Sequence, residues 1–341
     1  MLEHLHAQQA MRTAVMRTQV KFCAWLDLDI THYSVTSPKS VVHDVATQLA
    51  LALVPTNLGS IDFERERDIV IEEESRRGRD LLSDIYERLY PGSQLGRPSG
   101  GSRKSLRLLT RSVVTTYDER FYHPGNIFVG IAGDLKEHEL KSLLEPFGHL
   151  REFHGPAAST SASSNPQARS GRAYSWKMPR QACALVFSLP LSVSYVELMC
   201  LRILAAGFDL VSSPLYKSLR LTERFYDFDA TVYCLRNAIT FRVRCEAART
   251  RQFAAVRSIA AAIAKTKAKS DEIDAWLSEA KLAFAHLCDP NNISVSNASY
   301  LQAYPLATSA EGKYVDPETQ AIALREISND TIQAAACKYL N

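Results

Sequence analysis

The stretch 62–90 constrains this sequence most, because it predicts one long helix with acidic residues on a partly apolar face. Glu66 and Glu73 are seven positions apart, which corresponds to two helical turns, so their side chains share a face. Ile69 and Val70 lie on or near that face. A carboxylate in apolar surroundings has to be protonated, paired with a cation or bound to a metal. The helix therefore predicts a partner for Glu73 elsewhere in the chain.

The first four residues, M-L-E-H, offer such a partner, because Glu3 and His4 place a carboxylate beside an imidazole. Simpler interpretations exist for both segments. Glu3 and His4 can be a frayed terminus, and the run E-E-E that includes Glu73 can be a solvated acidic patch among arginines. On composition alone, these simpler interpretations are favoured.

Four segments, taken in chain order, resemble the M16 metallopeptidases, the family of pitrilysin, insulysin and the processing peptidases. Glu3-His4 resembles the end of the inverted zinc motif H-x-x-E-H. The run E-R-E-R-D-I-V-I-E-E at 64–73 resembles the segment that carries the third zinc ligand. F-Y-H-P-G-N-I-F-V-G-I-A-G-D-L at 121–135 resembles the strand entry that closes the first domain, and S-S-P-L-Y-K-S-L-R-L-T-E-R-F-Y at 212–226 resembles the substrate-clamping helix of the second.

The resemblance implies a zinc-dependent metalloendopeptidase that hydrolyses peptides or peptide precursors. It implies zinc bound by His4 and Glu73, with Glu3 as the general base and Glu66 as an accessory carboxylate of the catalytic site. It implies that Arg220 and Tyr226 hold the substrate backbone. The spacing between these two residues is one residue shorter than is usual in the family.

The sequence departs from the family pattern at the zinc motif. The first histidine of H-x-x-E-H would lie immediately before Met1, and the spacing from His4 to Glu73 is somewhat shorter than the family's. An in-frame histidine upstream of Met1 would complete the motif and favour the enzyme. His6 is a conceivable stand-in ligand, although two positions along a helix it points away from the face of His4. The alternatives are a non-catalytic subunit that binds peptide or supports an active partner, and a stand-alone α+β binding module.

The resemblance also implies the fold class, which is α+β with two similar domains, each a mostly antiparallel sheet with helices on one face. The segment G-P-A-A-S-T-S-A-S-S-N-P-Q-A-R-S-G at 155–171 reads as a linker. We therefore predict a zinc-site domain at 1–154 and a substrate-clamping domain at 172–341. Family members of this length work as pairs, which implies a homodimer or heterodimer with another M16-like half.

Composition excludes several other classes of protein. A net charge of +3 is too mild to indicate a nucleic-acid partner, and no stretch approaches the roughly 20 apolar residues of a membrane span. The seven cysteines are odd in number and form no C-x-x-C pair, which favours reduced thiols in the core of a cytoplasmic protein.

Hydrophobic patterns add predictions for single elements. We expect a short amphipathic helix at 19–28, a strand at 126–132 and a helix at 214–224. The alternation in 228–232 and 238–245 predicts a β-hairpin.

Overall fold

A computed structural model describes the chain over residues 1–12, 20–53, 63–77, 81–98, 100–150, 182–222, 225, 227–235, 237–289 and 317–341. These residues belong to two compact units, the first ending with residue 150 and the second beginning with residue 182. The predicted linker at 155–171 lies outside the described residues, so the domain boundaries stay a prediction. Within the described ranges, no helix is both long enough and apolar enough to cross a membrane.

The first unit is mostly helical. Its two strands, β1 (Lys21–Leu26) and β2 (Thr31–Thr36), pair antiparallel, with Lys21 opposite Thr36. Its helices are α1 (Leu2–Ala10), α2 (Val42–Ala52), α3 (Phe63–Arg77), α4 (Leu81–Leu89), α5 (Arg103–Arg107), α6 (Arg111–Phe121) and α7 (Glu137–Gly148).

The predicted helix at 62–90 is helical over α3 and α4, and residues 62 and 78–80 lie outside the described residues. Two other predictions for this unit were wrong. The predicted helix at 19–28 is strand β1, since its side chains alternate in exposure along the pairing with β2. The predicted strand at 126–132 is not formed, because no strand among the described residues pairs with it.

Helix α1 is attached to the unit by buried side chains. Leu5 packs with Phe63 at the start of α3 and with Val114 of α6. The amide of Gln9 donates a 2.7 Å hydrogen bond to the carbonyl of Leu51 in α2. Three helices from later in the sequence therefore fix where the first helix lies.

His6 and Asp118 add a fully buried polar pair to this attachment. His6 Nδ1 donates to the carbonyl of Ala52 across 2.7 Å, and His6 Nε2 lies 2.9 Å from Oδ1 of Asp118. Both side chains are fully buried, so this contact is shielded from water. The rings of Tyr33 and Tyr122 pack around His6, and their hydroxyl groups lie 3.2 Å apart.

The second unit is built on a three-stranded antiparallel sheet in the order β3-β5-β4. One face of the sheet, which carries Phe187 and Phe241, packs against helices in a single large core. Its strands are β3 (Ala182–Leu189), β4 (Phe228–Leu235) and β5 (Ala238–Glu246), and its helices are α8 (Tyr195–Phe208), α9 (Gln252–Thr266), α10 (Asp271–Cys288), α11 (Pro317–Glu326) and α12 (Asn329–Tyr339). The predicted hairpin is confirmed as β4 and β5, and the α+β class with antiparallel sheets is confirmed in both units.

Helices α8 and α10 cross in close contact in this core. The indole of Trp276 donates a 2.9 Å hydrogen bond to the carbonyl of Gly207, and its ring stacks on Phe208. A Cβ at Gly207 would collide with the Cβ of Ala280. Glycine at position 207 therefore sets how closely the two helices approach.

We predict that Gly207→Ala destabilises the second unit by about 2–3 kcal/mol, because the added methyl group has no room in a packed core. Replacing glycine by alanine inside a helix ordinarily stabilises a protein by up to about 1 kcal/mol. A loss of stability in Gly207→Ala would therefore identify steric crowding as the cause. The matched control is Gly148→Ala, since a Cβ at that helical position meets nothing within 4 Å. Urea unfolding followed by tryptophan fluorescence compares them, and equal stability of both variants would contradict the prediction.

We predict that His6→Ala destabilises the first unit by about 3–5 kcal/mol, because it leaves the Asp118 carboxyl group buried without its partner. Urea unfolding followed by circular dichroism gives the free energy of unfolding, and hydrogen exchange shows whether residues 2–10 lose protection first. His43→Ala removes an exposed histidine of the same unit and should change stability by less than about 0.5 kcal/mol. A His6→Ala variant as stable as His43→Ala would show that the buried pair does not hold α1.

Candidate functional site

The structure brings His4 of α1 and Glu73 of α3 together, although they are 69 positions apart in the sequence. Nε2 of His4 lies 3.0 Å from Oε2 of Glu73. Helix α1 begins beside the middle of α3, so the imidazole reaches the carboxylate directly. Both side chains are partly exposed, which leaves this contact open to small solutes.

Two further carboxylates approach the same imidazole ring from different sides. Oε2 of Glu3 is 3.7 Å from Nε2, on the edge that faces Glu73. Oε2 of Glu66 is 3.8 Å from Nδ1, on the other edge of the ring. We call His4, Glu3, Glu66 and Glu73 the His4 cluster. Three carboxylates around one imidazole make a site with strong attraction for a cation.

Glu66 is the most buried carboxylate of the His4 cluster. Glu66 is only 5% exposed, and its Oε2 accepts no hydrogen bond within the described part of the chain. An ionised carboxylate buried in this way is costly unless a cation or a donor is close. A carboxylate on the Nδ1 side of a metal-binding histidine is also the usual means of fixing its ring.

The donor set matches part of a zinc site. Nε2 of His4 and the carboxylate of Glu73 are ligand types that zinc prefers, and two ligands of a tetrahedral zinc lie about 3.3 Å apart. Catalytic zinc has three protein ligands, however, and Glu66 lies on the wrong side of the ring to serve. Over the described ranges, no group of three or more His, Cys, Asp or Glu side chains is arranged to hold a metal ion. The residues present thus supply two ligands and do not complete the site.

His6 does not provide the third ligand. Both of its ring nitrogens are already engaged, by the Ala52 carbonyl and by Asp118, and its side chain is fully buried. The sequence argument that His6 points away from the face of His4 agrees with this placement. His6 is a structural residue of α1, and the stand-in hypothesis is wrong.

The candidate substrate residues lie in the second unit. Arg220 is half-buried in a wide helical turn, Lys217–Thr222, which follows a short helical turn at Pro214–Tyr216. The predicted helix at 214–224 is thus confirmed over 214–222, and its geometry widens from Lys217 onward. Tyr226 lies outside the described residues. The roles of Arg220 and Tyr226 stay predictions.

The sequence analysis did not identify the residues that surround His6 and so help to hold helix α1, which carries His4. Asp118, Tyr33 and Tyr122 surround His6, and burial raises the pKa of the Tyr122 hydroxyl to about 12 and that of Tyr33 well above its usual value. Both phenols therefore stay protonated at neutral pH. The signal in the sequence was a histidine within a helix, which does not identify its partner.

Comparisons of the sequence with known proteins identify its relatives. Residues 109–280, half of the chain, match the family model described as the Peptidase M16 inactive domain. A probable mitochondrial-processing peptidase subunit beta of Schizosaccharomyces pombe is 26% identical over 161 residues, covering 44% of this chain. An uncharacterized zinc protease of Mycobacterium leprae is 34% identical over 92 residues, covering 26% of this chain. The matched segments span only 35% and 21% of these two relatives.

Solved structures extend the similarity of fold along the chain. A protease from Helicobacter pylori superposes with a TM-score of 0.76 at 15% identity, covering 100% of this chain and 87% of that one. A peptidase M16 inactive domain from Pseudomonas fluorescens gives a TM-score of 0.71 at 14% identity, covering 94% of this chain and 78% of that one. The sequence match to half of the chain and the common fold lead to one conclusion: this chain belongs to the M16 peptidase family.

Proposed function

We propose that this chain is one half of an M16-type zinc metalloendopeptidase, and that the His4 cluster is its hydrolytic centre. The observation that carries the proposal is the convergence of Glu3, His4 and Glu73 from two helices far apart in the sequence. Two relatives that support it are named as a processing peptidase subunit and a zinc protease.

Each residue of the cluster has a role that its position supports. Glu3 lies on the Nε2 edge of His4 and is the carboxylate best placed to take a proton from a water molecule there. Glu66 lies on the Nδ1 edge, 3.8 Å from the ring nitrogen, and adds negative charge beside the imidazole. His4 and Glu73 present the two donor atoms that face each other. In this proposal, zinc binding needs a third ligand from outside the described residues.

The substrate in this proposal is a peptide, held in part by Arg220. A guanidinium group binds peptide carbonyl groups and carboxylates through several donors at once, which suits the positioning of an extended backbone. The second half is a further copy of this chain or a related M16 subunit. The name of the fission-yeast relative, a subunit of a processing peptidase, supports a paired assembly.

A second candidate function is a non-catalytic M16 subunit that binds peptide or supports an active partner. The presence of only two zinc donors among the described residues favours it. The two candidates differ in one respect that an experiment can decide, namely hydrolysis of peptide that depends on Glu3.

We predict weak zinc binding and Glu3-dependent hydrolysis. With two protein ligands, zinc should be lost on dialysis, and added zinc should restore peptide cleavage. Glu3→Gln should lower cleavage by at least about 100-fold while peptide binding is retained, because only the general base is removed. Elemental analysis of the dialysed protein and a fluorogenic peptide assay, with and without a co-purified partner, provide the measurements.

Each outcome of this experiment separates the candidates. Peptide binding without cleavage at saturating zinc would establish the non-catalytic subunit. Cleavage that survives Glu3→Gln would place the hydrolytic centre elsewhere. Stoichiometric zinc after dialysis would show that a third ligand is supplied by a residue outside the described ranges.

We predict that Arg220→Ala weakens peptide binding by about tenfold, which corresponds to roughly 1.4 kcal/mol. The matched control is Lys217→Ala, because Lys217 is a cation on the same wide turn whose amine pairs with Glu272 of α10 at 2.7 Å. Fluorescence anisotropy of a labelled peptide gives the dissociation constants, and circular dichroism confirms folding. Equal affinities for the two variants would exclude Arg220 from the peptide site.

A further inference from the structure

We propose that Cys183 and Cys245 form an oxidisable thiol pair, which a hydroperoxide converts into a reversible disulfide across strands β3 and β5. The pair lies in the second unit, so it is independent of the His4 cluster and of the proposed peptidase activity. It is a modification site defined by the register of the sheet.

Strand register places the two cysteines directly opposite each other. Cys183 is the partner of Cys245 in the antiparallel pairing of β3 with β5, although 62 positions separate them in the sequence. Residues opposite each other in an antiparallel pair have Cα atoms about 4.5–5.5 Å apart, with side chains on the same face. A disulfide needs Cα atoms about 4.4–6.8 Å apart. The backbone is therefore already within bonding range.

The two thiols are also in contact. The thiol of Cys245 donates to the carbonyl of Glu246 across 3.6 Å, and its interaction with the Cys183 sulfur lowers the pKa of Cys183 and, together with burial, raises that of Cys245. A lowered pKa increases the thiolate fraction, and the thiolate is the form that attacks peroxides. The contact thus assigns different roles to the two residues.

Exposure is consistent with these roles. Cys183 is half-buried, in the second residue of β3, whereas Cys245 is fully buried in the core. A small oxidant therefore reaches Cys183 first, and Cys245 lies behind it as the thiol that closes the bridge.

The chemistry balances with one equivalent of hydrogen peroxide. The Cys183 thiolate attacks one peroxide oxygen, the O–O bond breaks, and sulfenic acid and water form once the leaving hydroxide gains a proton. The sulfur of Cys245, losing its proton, then attacks the sulfur of Cys183 and displaces the hydroxyl group as a second water. Two thiols are oxidised, one peroxide is reduced, and a dithiol reductant reverses the change.

The other five cysteines are poorer candidates. Burial raises the pKa of Cys200 to about 11 and also raises that of Cys288, so both thiols are slow to react. Cys23 and Cys337 are exposed, and their reaction would give bonds between molecules. Cys234 is half-buried and has no cysteine opposite it, because its partner across the β4–β5 pairing is Ile239.

Peptide mapping of the full chain is the direct test. The protein carries Cys23→Ser and Cys337→Ser to prevent bonds between molecules, and it is treated with one equivalent of hydrogen peroxide. We expect the loss of two thiols, a mass decrease of about 2 Da, and full reversal by dithiothreitol. Trypsin should release residues 181–202 linked to residues 245–249. Because Cys200 shares the first peptide, fragment ions must place the bond at Cys183.

Variants separate the roles of the two thiols. Cys245→Ala should stop the reaction at a Cys183 sulfenic acid, which dimedone traps, and Cys183→Ala should slow peroxide consumption by about tenfold. Cys288→Ala is the matched control and should behave like the parent. In the parent, the oxidised form should melt several degrees higher than the reduced form, because the bond closes a long loop.

Several outcomes would overturn the proposal. These are a linkage to any other cysteine, scattered oxidation without an internal bond, or resistance of Cys183 to peroxide. Mapping of the parent requires neither Cys183→Ala nor Cys245→Ala to fold, so the proposal stays falsifiable if those variants are unstable.

Discussion

Attachment of helix α1 to later parts of the chain is the constraint on which the candidate site depends. The helix has nine residues, and helices shorter than about 12 residues are marginal in water. Its position is therefore imposed by Leu5 in an apolar contact and by His6 in a buried polar one. His4 and His6 are separated by about 200° around the helix axis, so one residue can anchor the helix while the other faces Glu73.

The described parts of the two units are stabilised by different kinds of interaction. In the second unit, a large apolar core encloses the crossing of α8 and α10, and a glycine at position 207 permits close approach. In the first unit, the apolar clusters around α1 are small, and hydrogen bonds from His6 and Gln9 add the specificity that apolar contacts lack. Among the described residues, the position of α1 thus depends on single polar side chains as well as on apolar contacts.

Regular patterns in the sequence predicted those elements whose partners are close in the chain. The hairpin β4–β5 alternates and pairs locally, so its prediction was confirmed. Strand β1 was predicted as a helix because Val20, Cys23 and Ala24 also fit a helical spacing, and only pairing with β2 decides between the two. The segment 126–132 was predicted as a strand but does not form one, because no strand among the described residues pairs with it.

For the candidate site, the sequence indicated which residues lie close together but not which other residues hold them in place. The spacing of Glu66 and Glu73 on one helix predicted a common face, and the structure brings His4 to it. Asp118 gave no such signal, because a buried aspartate in an amphipathic helix looks like any polar residue until its partner is known. The pair of His6 and Asp118 has a consequence for how this chain can vary. A random mutagenesis screen for loss of folded protein should recover Asp118, and second-site suppressors of its substitutions should arise at position 6, where an apolar residue needs no buried polar partner.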